Sequence, residues 1–379
     1  MTIRPRPAGA PFRTALPAAA AALAAAFAVP AGAEELRIAI GSPSDNALNR
    51  GMQVFADALA EKSGGAYTGK VFPGTLLTFA ESTTGLRDGI ADVAYVIPAY
   101  TRAEFPNSNL AVDMATASAD PVVMSAASTE FMFTCAPCLE EFSEQNQVFL
   151  GYTAIGPYYL MSIGKVQEPG DFEGKTFRGF GPFGRWVDAM GAKSVLVASS
   201  DIFEAMSQGQ IDGNTHTMDV LKGWSIGEIA DYVLDAPIGL YLGNAQFNVN
   251  RDLWDGLDAD QKRAFLEAAA EGNAYTTVKY LEENESYFAD PAKGGVEIVE
   301  PSPALKEKSE AFRRKDLETV ADLNKTEYGI ADAHEQVDRM LALIKKWEGL
   351  LDGVDRTDVA AVAALYKAEL FSKIDPGAL

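Results

Sequence analysis

Apolar and polar residues alternate over Glu35–Ile40, and apolar residues then recur at helical spacing at Leu48, Met52, Phe55 and Leu59 until Ser63-Gly64-Gly65 ends the run. The pattern predicts a strand, a turn and cap at Ser42-Pro-Ser-Asp45, and an amphipathic helix whose apolar stripe faces a core. A short strand at Lys70–Phe72, closed by Pro73-Gly74, a helix over about 78–87 and a strand at Val93–Ile97 continue the alternation. Strands alternating with helices of this length predict parallel α/β architecture, in which ligands gather where loops leave the strand C-termini. The loop Pro98–Arg102 is one such place. It makes Tyr95 and Tyr100 candidates for a site, although a buried core aromatic would account for either one.

Further along, Val148–Thr153 and Tyr158–Ser162 are predicted strands around Ile155-Gly-Pro157, a break suited to a crossing between two lobes. Thr176–Arg178 predicts another short strand. Gly179, Gly181 and Pro182 then break the chain before a helix from about Phe183 to Met190. A strand at Ser194–Val197 leads to a helix carrying Ile202, Phe203 and Met206, capped by Ser199 or Ser200, with Asp212–His216 after it. Gln246–Val249 is a further strand, and 258–288 is one long helix interrupted only by Gly272, long enough to run behind two lobes. A strand within 294–299 precedes mostly helical segments at 306–351 and 357–374. Asp88-Gly-Ile-Ala-Asp92 and Gln208-Gly-Gln-Ile-Asp212 both place Gly-x-x-Asp between a helix and a strand. A glycine following a helix explains the pattern locally; its occurrence twice also suggests two related lobes.

The N-terminus alters where this fold must work. Arg4, Arg6 and Arg13 precede an Ala-rich apolar stretch to Val29 and the small-x-small site Ala31-Gly-Ala33, the pattern of a cleaved secretory signal peptide at 1–33. The protein is therefore expected in the periplasm, beginning at Glu34. No later run approaches the ~20 apolar residues of a membrane span, so no direct membrane insertion is expected after cleavage. The 379-residue chain has 53 acidic against 32 basic residues, a net charge of −21 that falls to −24 without the leader's three arginines. Such a surface repels nucleic acid and anionic lipid, so an anionic ligand must be held by local chemistry. Cys135 and Cys138 are the only cysteines, and in an oxidising compartment they are expected to form a local disulfide. With two histidines, His216 and His334, no compact His/Cys metal cluster is expected.

Arg178 is the centre of the candidate chemistry. A guanidinium at the end of a strand, close to a helix N-terminus, offers two parallel donors to a carboxylate beside helix N–H groups that favour anions. The same loop contains Gly179-x-Gly181-x-x-Gly184, with Asp201 at the distance of a ribose-binding acid. Pro182 inside the loop, the short preceding strand and the mid-chain position weigh against a dinucleotide site.

Gly174-Lys-Thr-Phe-Arg178, Met190-Gly-Ala-Lys193, Ser200-Asp-Ile-Phe-Glu-Ala-Met-Ser-Gln-Gly-Gln-Ile-Asp-Gly213 and Leu257-Asp-Ala-Asp-Gln-Lys-Arg-Ala-Phe265, with the leader, resemble the extracytoplasmic solute-binding proteins of TRAP transporters, the DctP-like family. The resemblance covers essentially the whole chain after the leader. It implies a two-lobed, periplasmic-binding-protein-like α/β fold with a long helix spanning both lobes. Lobe I is expected from 34–154 plus 242–290, and lobe II with the C-terminal helices from 155–241 plus 291–379.

The resemblance also implies a binding protein without cofactor or catalysis, which closes on an organic acid and delivers it to the membrane subunits of a TRAP permease. Arg178 takes the ligand carboxylate bidentately on this reading. Tyr95, Tyr100, Tyr158, Phe180, Asn214, His216 and Trp224 are the other expected ligand-binding residues, while Trp186 and Phe247 fit core packing better. Two positions depart from the family pattern: His216 stands where many members have Asn, and a second arginine of sialic-acid-binding members is replaced around Tyr158. The second departure argues against sialic acid, leaving C4-dicarboxylates and hydroxy, oxo or sugar acids as ligand classes. An exported oxidoreductase using the glycine loop or the Cys-x-x-Cys pair is the alternative from another class, and a receptor presenting its ligand to a signalling partner is a third.

Overall fold

The computed structural model describes residues 1–2, 33–43 and 45–379. The expected leader, 1–33, otherwise lies outside the described residues. Strand β1 (Glu34–Ile40) buries Leu36, Ile38 and Ile40 and pairs in parallel with β2 (Tyr67–Pro73) and β3 (Val93–Val96). The crossovers are α1 (Ala47–Lys62) and α2 (Ser82–Arg87). Asn46 caps α1 through its side chain, and Leu48, Met52, Phe55 and Leu59 form the buried stripe that their spacing predicts. The second helix starts at Ser82 instead of 78 because Thr78 and Glu81 close a separate turn: the Glu81 carboxylate accepts from the Thr78 N–H and hydroxyl.

Three helices with no counterpart in the sequence reading follow: α3 (Ser108–Asp113), α4 (Pro121–Phe133) and α5 (Ala136–Glu144). Most of α4 is buried on every side, so it shows no apolar stripe. Cys135 and Cys138 are joined by a disulfide at the start of α5. The single strand expected over 148–153 is two, β4 (Gln147–Val148) and β5 (Tyr152–Ile155), separated at Gly151, whose φ of 143° is open to glycine.

The second sheet begins with β6 (Tyr159–Ser162) and β7 (Thr176–Arg178). Helix α6 (Gly181–Met190) takes Gly181 and Pro182 into its first turn, where a proline needs no N–H, instead of being preceded by them. Then come β8 (Lys193–Val195), α7 (Ile202–Ser207), β9 (Gly213–His216), α8 (Val220–Gly223) and β10 (Tyr232–Leu234). The chain returns to the first sheet as β11 (Tyr241–Asn250), much longer than the strand expected there. After α9 (Arg251–Gly256) and α10 (Ala259–Ala289), β12 (Glu297–Val299) joins the second sheet.

The first sheet runs β2-β1-β3-β11-β4, with β5 also on β11, and the second β8-β7-β9-β6-β10-β12. In each, three parallel strands meet a fourth that is antiparallel, β11 beside β3 and β6 beside β9. The Gly-x-x-Asp echo belongs to this duplication. The Asp92 carboxylate accepts from the Arg37 N–H at 2.7 Å while its own N–H donates to the Arg37 carbonyl; Asp212 does the same with Thr176 at 2.8 Å. Gly89 and Gly209 precede them with φ of 71° and 68°.

Helix α10, about 46 Å long at 1.5 Å per residue, ties the two halves together. It packs on α1, α4 and β5 of the first half. Its C-terminal part reaches the second half, where Tyr280 donates to Asp219 and Asn284 accepts from the Met218 N–H. The helix expected over 306–351 is broken into α11 (Pro303–Glu327) and α12 (Ala333–Leu350), with Gly329 at a φ of 73° between them. Helix α11 packs on α6, α12 on α4, and α13 (Val359–Glu369) on α10. Among the described residues no single helix is long and apolar enough to cross a membrane.

Candidate functional site

Equivalent ends of the two sheets face each other across a small cavity lined from both. Its walls come from segments leaving the C-termini of strands: Ser42 and Asn46 after β1, Ile97 and Tyr100 after β3, Phe180 after β7, Ser199 after β8 and Asp219 after β9. Arg178 and His216 are the last residues of β7 and β9. This is the ligand position of open α/β sheets, used here twice.

Arg178 is 1% exposed. Two carbonyls fix its plane: Nε donates to Val197 O at 3.1 Å and Nη1 to Thr215 O at 2.8 Å. The other terminal nitrogen makes only long contacts, 3.4 Å to Tyr100 Oη and 3.5 Å to Ser199 Oγ. Phe180 lies under the guanidinium, 4.7 Å from ring centroid to Cζ. Among the described residues no carboxylate lies within ion-pair distance of it, in contrast to Arg102 and Arg185, which share Asp113, and Arg185 also holds Asp316. A buried cation held by carbonyls and neutral hydroxyls, with no carboxylate beside it, is a receptor for an anion. The N-terminus of α6 plays less of this part than the sequence suggests. A side chain at Gly181 would come within 3.6 Å of Asp113 Oδ1, so an internal carboxylate already sits near that helix end.

His216 stacks on Tyr158, with ring centroids 5.0 Å apart. The Thr217 N–H donates to its Nδ1 at 2.9 Å, which places the ring proton on Nε2, 3.2 Å from Ser199 Oγ. Burial, and then the Arg178 charge, holds the His216 pKa well below its ordinary value. The imidazole is thus a neutral donor. Tyr100 Oη accepts from the Ser199 N–H at 3.1 Å and lies 3.0 Å from its hydroxyl, joining the two halves at one side of the cavity. Asn46 Nδ2 donates to Asp219 Oδ2 at 3.0 Å and joins them at another.

Tyr95, Tyr100, Tyr158, Phe180, Arg178, His216 and Trp224 all line the cavity. Asn214 does not. One pleat back from His216, about 6.6 Å along the strand, its amide meets Met206 Sδ of α7 at 3.5 Å instead. Ser199, read as a cap, makes no capping bond and faces the site. Trp186 and Phe247 are core residues, the first bonded to Ser309 and the second stacked on Phe55. Sequence reasoning missed Asn46, Asp219, Tyr241, Asn244 and Tyr280, which also line the cavity. Tyr280 lies within the long helix and Asp219 in a turn-rich stretch, so neither carries a local pattern.

The other candidate chemistries fall elsewhere. Gly179 and Gly184 press β7 against α6: a Cβ on Gly179 would lie 2.9 Å from Gly184 Cα. Asp201 is exposed and bonded to Ser200, and the cysteines are absent from the cavity wall. Among the described residues no three His, Cys, Asp or Glu side chains gather as a metal site requires.

Residues 39–323 match the family described as bacterial extracellular solute-binding protein, family 7. A 99-residue stretch is 31% identical to the C4-dicarboxylate-binding periplasmic protein DctP of Rhodobacter capsulatus, covering 26% of this chain and 29% of that protein. Matches to the curated relatives span about 29 to 50% of their length. The fold is similar to that of a TRAP periplasmic solute binding protein from Bordetella bronchiseptica with bound (R)- and (S)-mandelate, at a TM-score of 0.69 and 22% identity over 82% of this chain and 99% of that one. It is similar also to a marine metagenome TRAP solute binding protein specific for aromatic acid ligands, in complex with 3-hydroxybenzoate (TM-score 0.72, 17% identity, 83% and 99% covered).

Proposed function

The chain belongs to the bacterial extracellular solute-binding proteins of family 7, and from that membership we propose that it captures a carboxylate-bearing organic acid in the periplasm and delivers it to TRAP permease membrane subunits. The observation that carries this reading is Arg178: a guanidinium 1% exposed, held by two carbonyls, with no carboxylate partner among the described residues. A ligand carboxylate supplies the missing charge and accepts the remaining N–H donors in parallel. The cavity lies between two halves that touch at Tyr100–Ser199 and Asn46–Asp219, so capture works by lobe closure. The role is binding and release, not catalysis. C4-dicarboxylates and hydroxy, oxo or sugar acids are the candidate ligand classes.

The test is a thermal-shift screen of these acids and of uncharged polyols against the wild type and Arg178→Ala. A ligand at 100 times its Kd adds about 2.7 kcal/mol, an easily measured shift. Acids are expected to stabilise the wild type and not the variant. Stabilisation by neutral ligands alone, or an equal response of both proteins, would overturn the assignment of Arg178.

A further inference from the structure

Arg178 is the only lysine or arginine among the described residues that line the cavity, and Asp219 is the only acid. Both are almost fully buried, at 1% and 5% exposure. Among the described residues Asp219 has no cation partner: it accepts from the Thr217 hydroxyl at 2.6 Å and from the Tyr280 hydroxyl on Oδ1, and from the Asn46 amide at 3.0 Å on Oδ2. Burial pushes its carboxyl upward against the pull of those three side-chain donors and of its own backbone N–H. Oδ1 accepts from two hydroxyls, while the Asn46 amide is the one side-chain donor to Oδ2 among the described residues. Much of the rest of the wall is aromatic, with Tyr95, Tyr158, Phe180, Tyr241 and Trp224.

One cation can neutralise one carboxylate. A second carboxylate in the same cavity would find no positive partner, and Asp219 would repel it or force one of the two acids to hold a proton. A hydroxyl or an ammonium meets the opposite situation, because it donates to an acceptor that is already desolvated and oriented. Resting on the carboxylate-capture reading, we propose that the ligand is a monocarboxylic acid whose body carries a hydrogen-bond donor directed at Asp219, and that dicarboxylates are excluded. Arg178 holds the carboxylate, the aromatic wall the body, and Asp219 the donor.

Calorimetric titration of the purified protein with two matched series tests this. One series is butanoate, 2-hydroxybutanoate, 2-aminobutanoate and succinate; the other is phenylacetate, mandelate, phenylglycine and phenylmalonate. In whichever series fits the body of the ligand, a donor-bearing acid is expected to bind at least about tenfold tighter than its unsubstituted parent, the effect of a hydrogen bond to a charged group. The dicarboxylate is expected to bind more weakly than the parent. In Asp219→Asn the repulsion is gone, so the gap between dicarboxylate and parent should narrow. The inference fails if a dicarboxylate binds the wild type as well as the donor-bearing acid, or if parent and donor-bearing acids bind alike. Either result leaves carboxylate capture standing so long as Arg178→Ala abolishes binding. Loss of that Arg178 dependence sinks the functional reading itself.

Discussion

His216 shows how burial sets the chemistry of a single residue. Its Nδ1 is committed as an acceptor to the Thr217 N–H, and burial with the nearby Arg178 charge keeps the ring neutral. Because the folded pKa lies well below the unfolded value near 6.5, ligand affinity should be flat from pH 6.5 to 8, and His216→Asn should not change that profile. Stability carries the opposite signature. The unfolded chain binds a proton that the folded ring refuses, so this contribution is intact above pH 6.5 and is lost as the pH falls from there toward the folded pKa. Urea titrations at pH 8 and 5.5 should find the wild type losing more stability on acidification than His216→Asn. Equal losses would mean that the ring protonates in place. Arg178 was legible in the sequence because strand, glycine break and helix surround it in a recognisable order. Its partner in the cavity, Asp219, was not, because its role depends on Asn46 and Tyr280, which lie 173 and 61 residues away.

Helix α10 shows what an element's pattern reveals and what only packing explains. Its length was readable from the sequence, as was its start at Asp258, which forms a reciprocal capping box with Gln261. The reason for Gly272 was not. A Cβ there would lie 2.6 Å from Phe247 Cζ and 3.1 Å from Gly51 O, and one on Gly51 would lie 1.8 Å from Thr276 Oγ1. The two glycines let α1 and α10 cross closely, a tertiary demand that leaves only a local weakness in the sequence. Helix propensity alone predicts that Gly51→Ala stabilises by about 1 kcal/mol. Overpacking costs about 1–3 kcal/mol, and here it displaces a hydroxyl that bonds Gln246 at 3.0 Å. The net effect should be destabilising by about 1–2 kcal/mol, read as a lower urea midpoint with unchanged m. A raised midpoint would show that the crossing has room. Helix α4 is the opposite case, missed because burial on all sides leaves no periodicity to find.

At the scale of the molecule, the duplicated Gly-x-x-Asp motif opens corresponding strands of two like sheets, whose opposite, C-terminal ends line one cavity; on the lobe-closure reading, closure is a contact between those ends. The motif was visible in the sequence. Which loops meet was not, since β11 returns to the first sheet only after the chain has built most of the second. Tyr100 is the clearest closing contact, because its hydroxyl receives the Ser199 N–H of the other half at 3.1 Å. In an open form that N–H is hydrated; in a closed Tyr100→Phe protein it is buried without an acceptor, at a cost of about 1–3 kcal/mol. The penalty falls on the closed state alone and so shifts the hinge equilibrium without touching the fold. The apparent Kd for an acid ligand should therefore rise roughly 5- to 150-fold, while the urea midpoint of the ligand-free protein changes little. Small-angle scattering should show the variant compacting to the wild-type radius, only at higher ligand concentration. If Kd is unchanged, the Tyr100–Ser199 contact does not close the lobes. If the variant binds but never compacts, affinity comes from the Arg178 wall alone and the lobes cannot close without the Tyr100 hydroxyl.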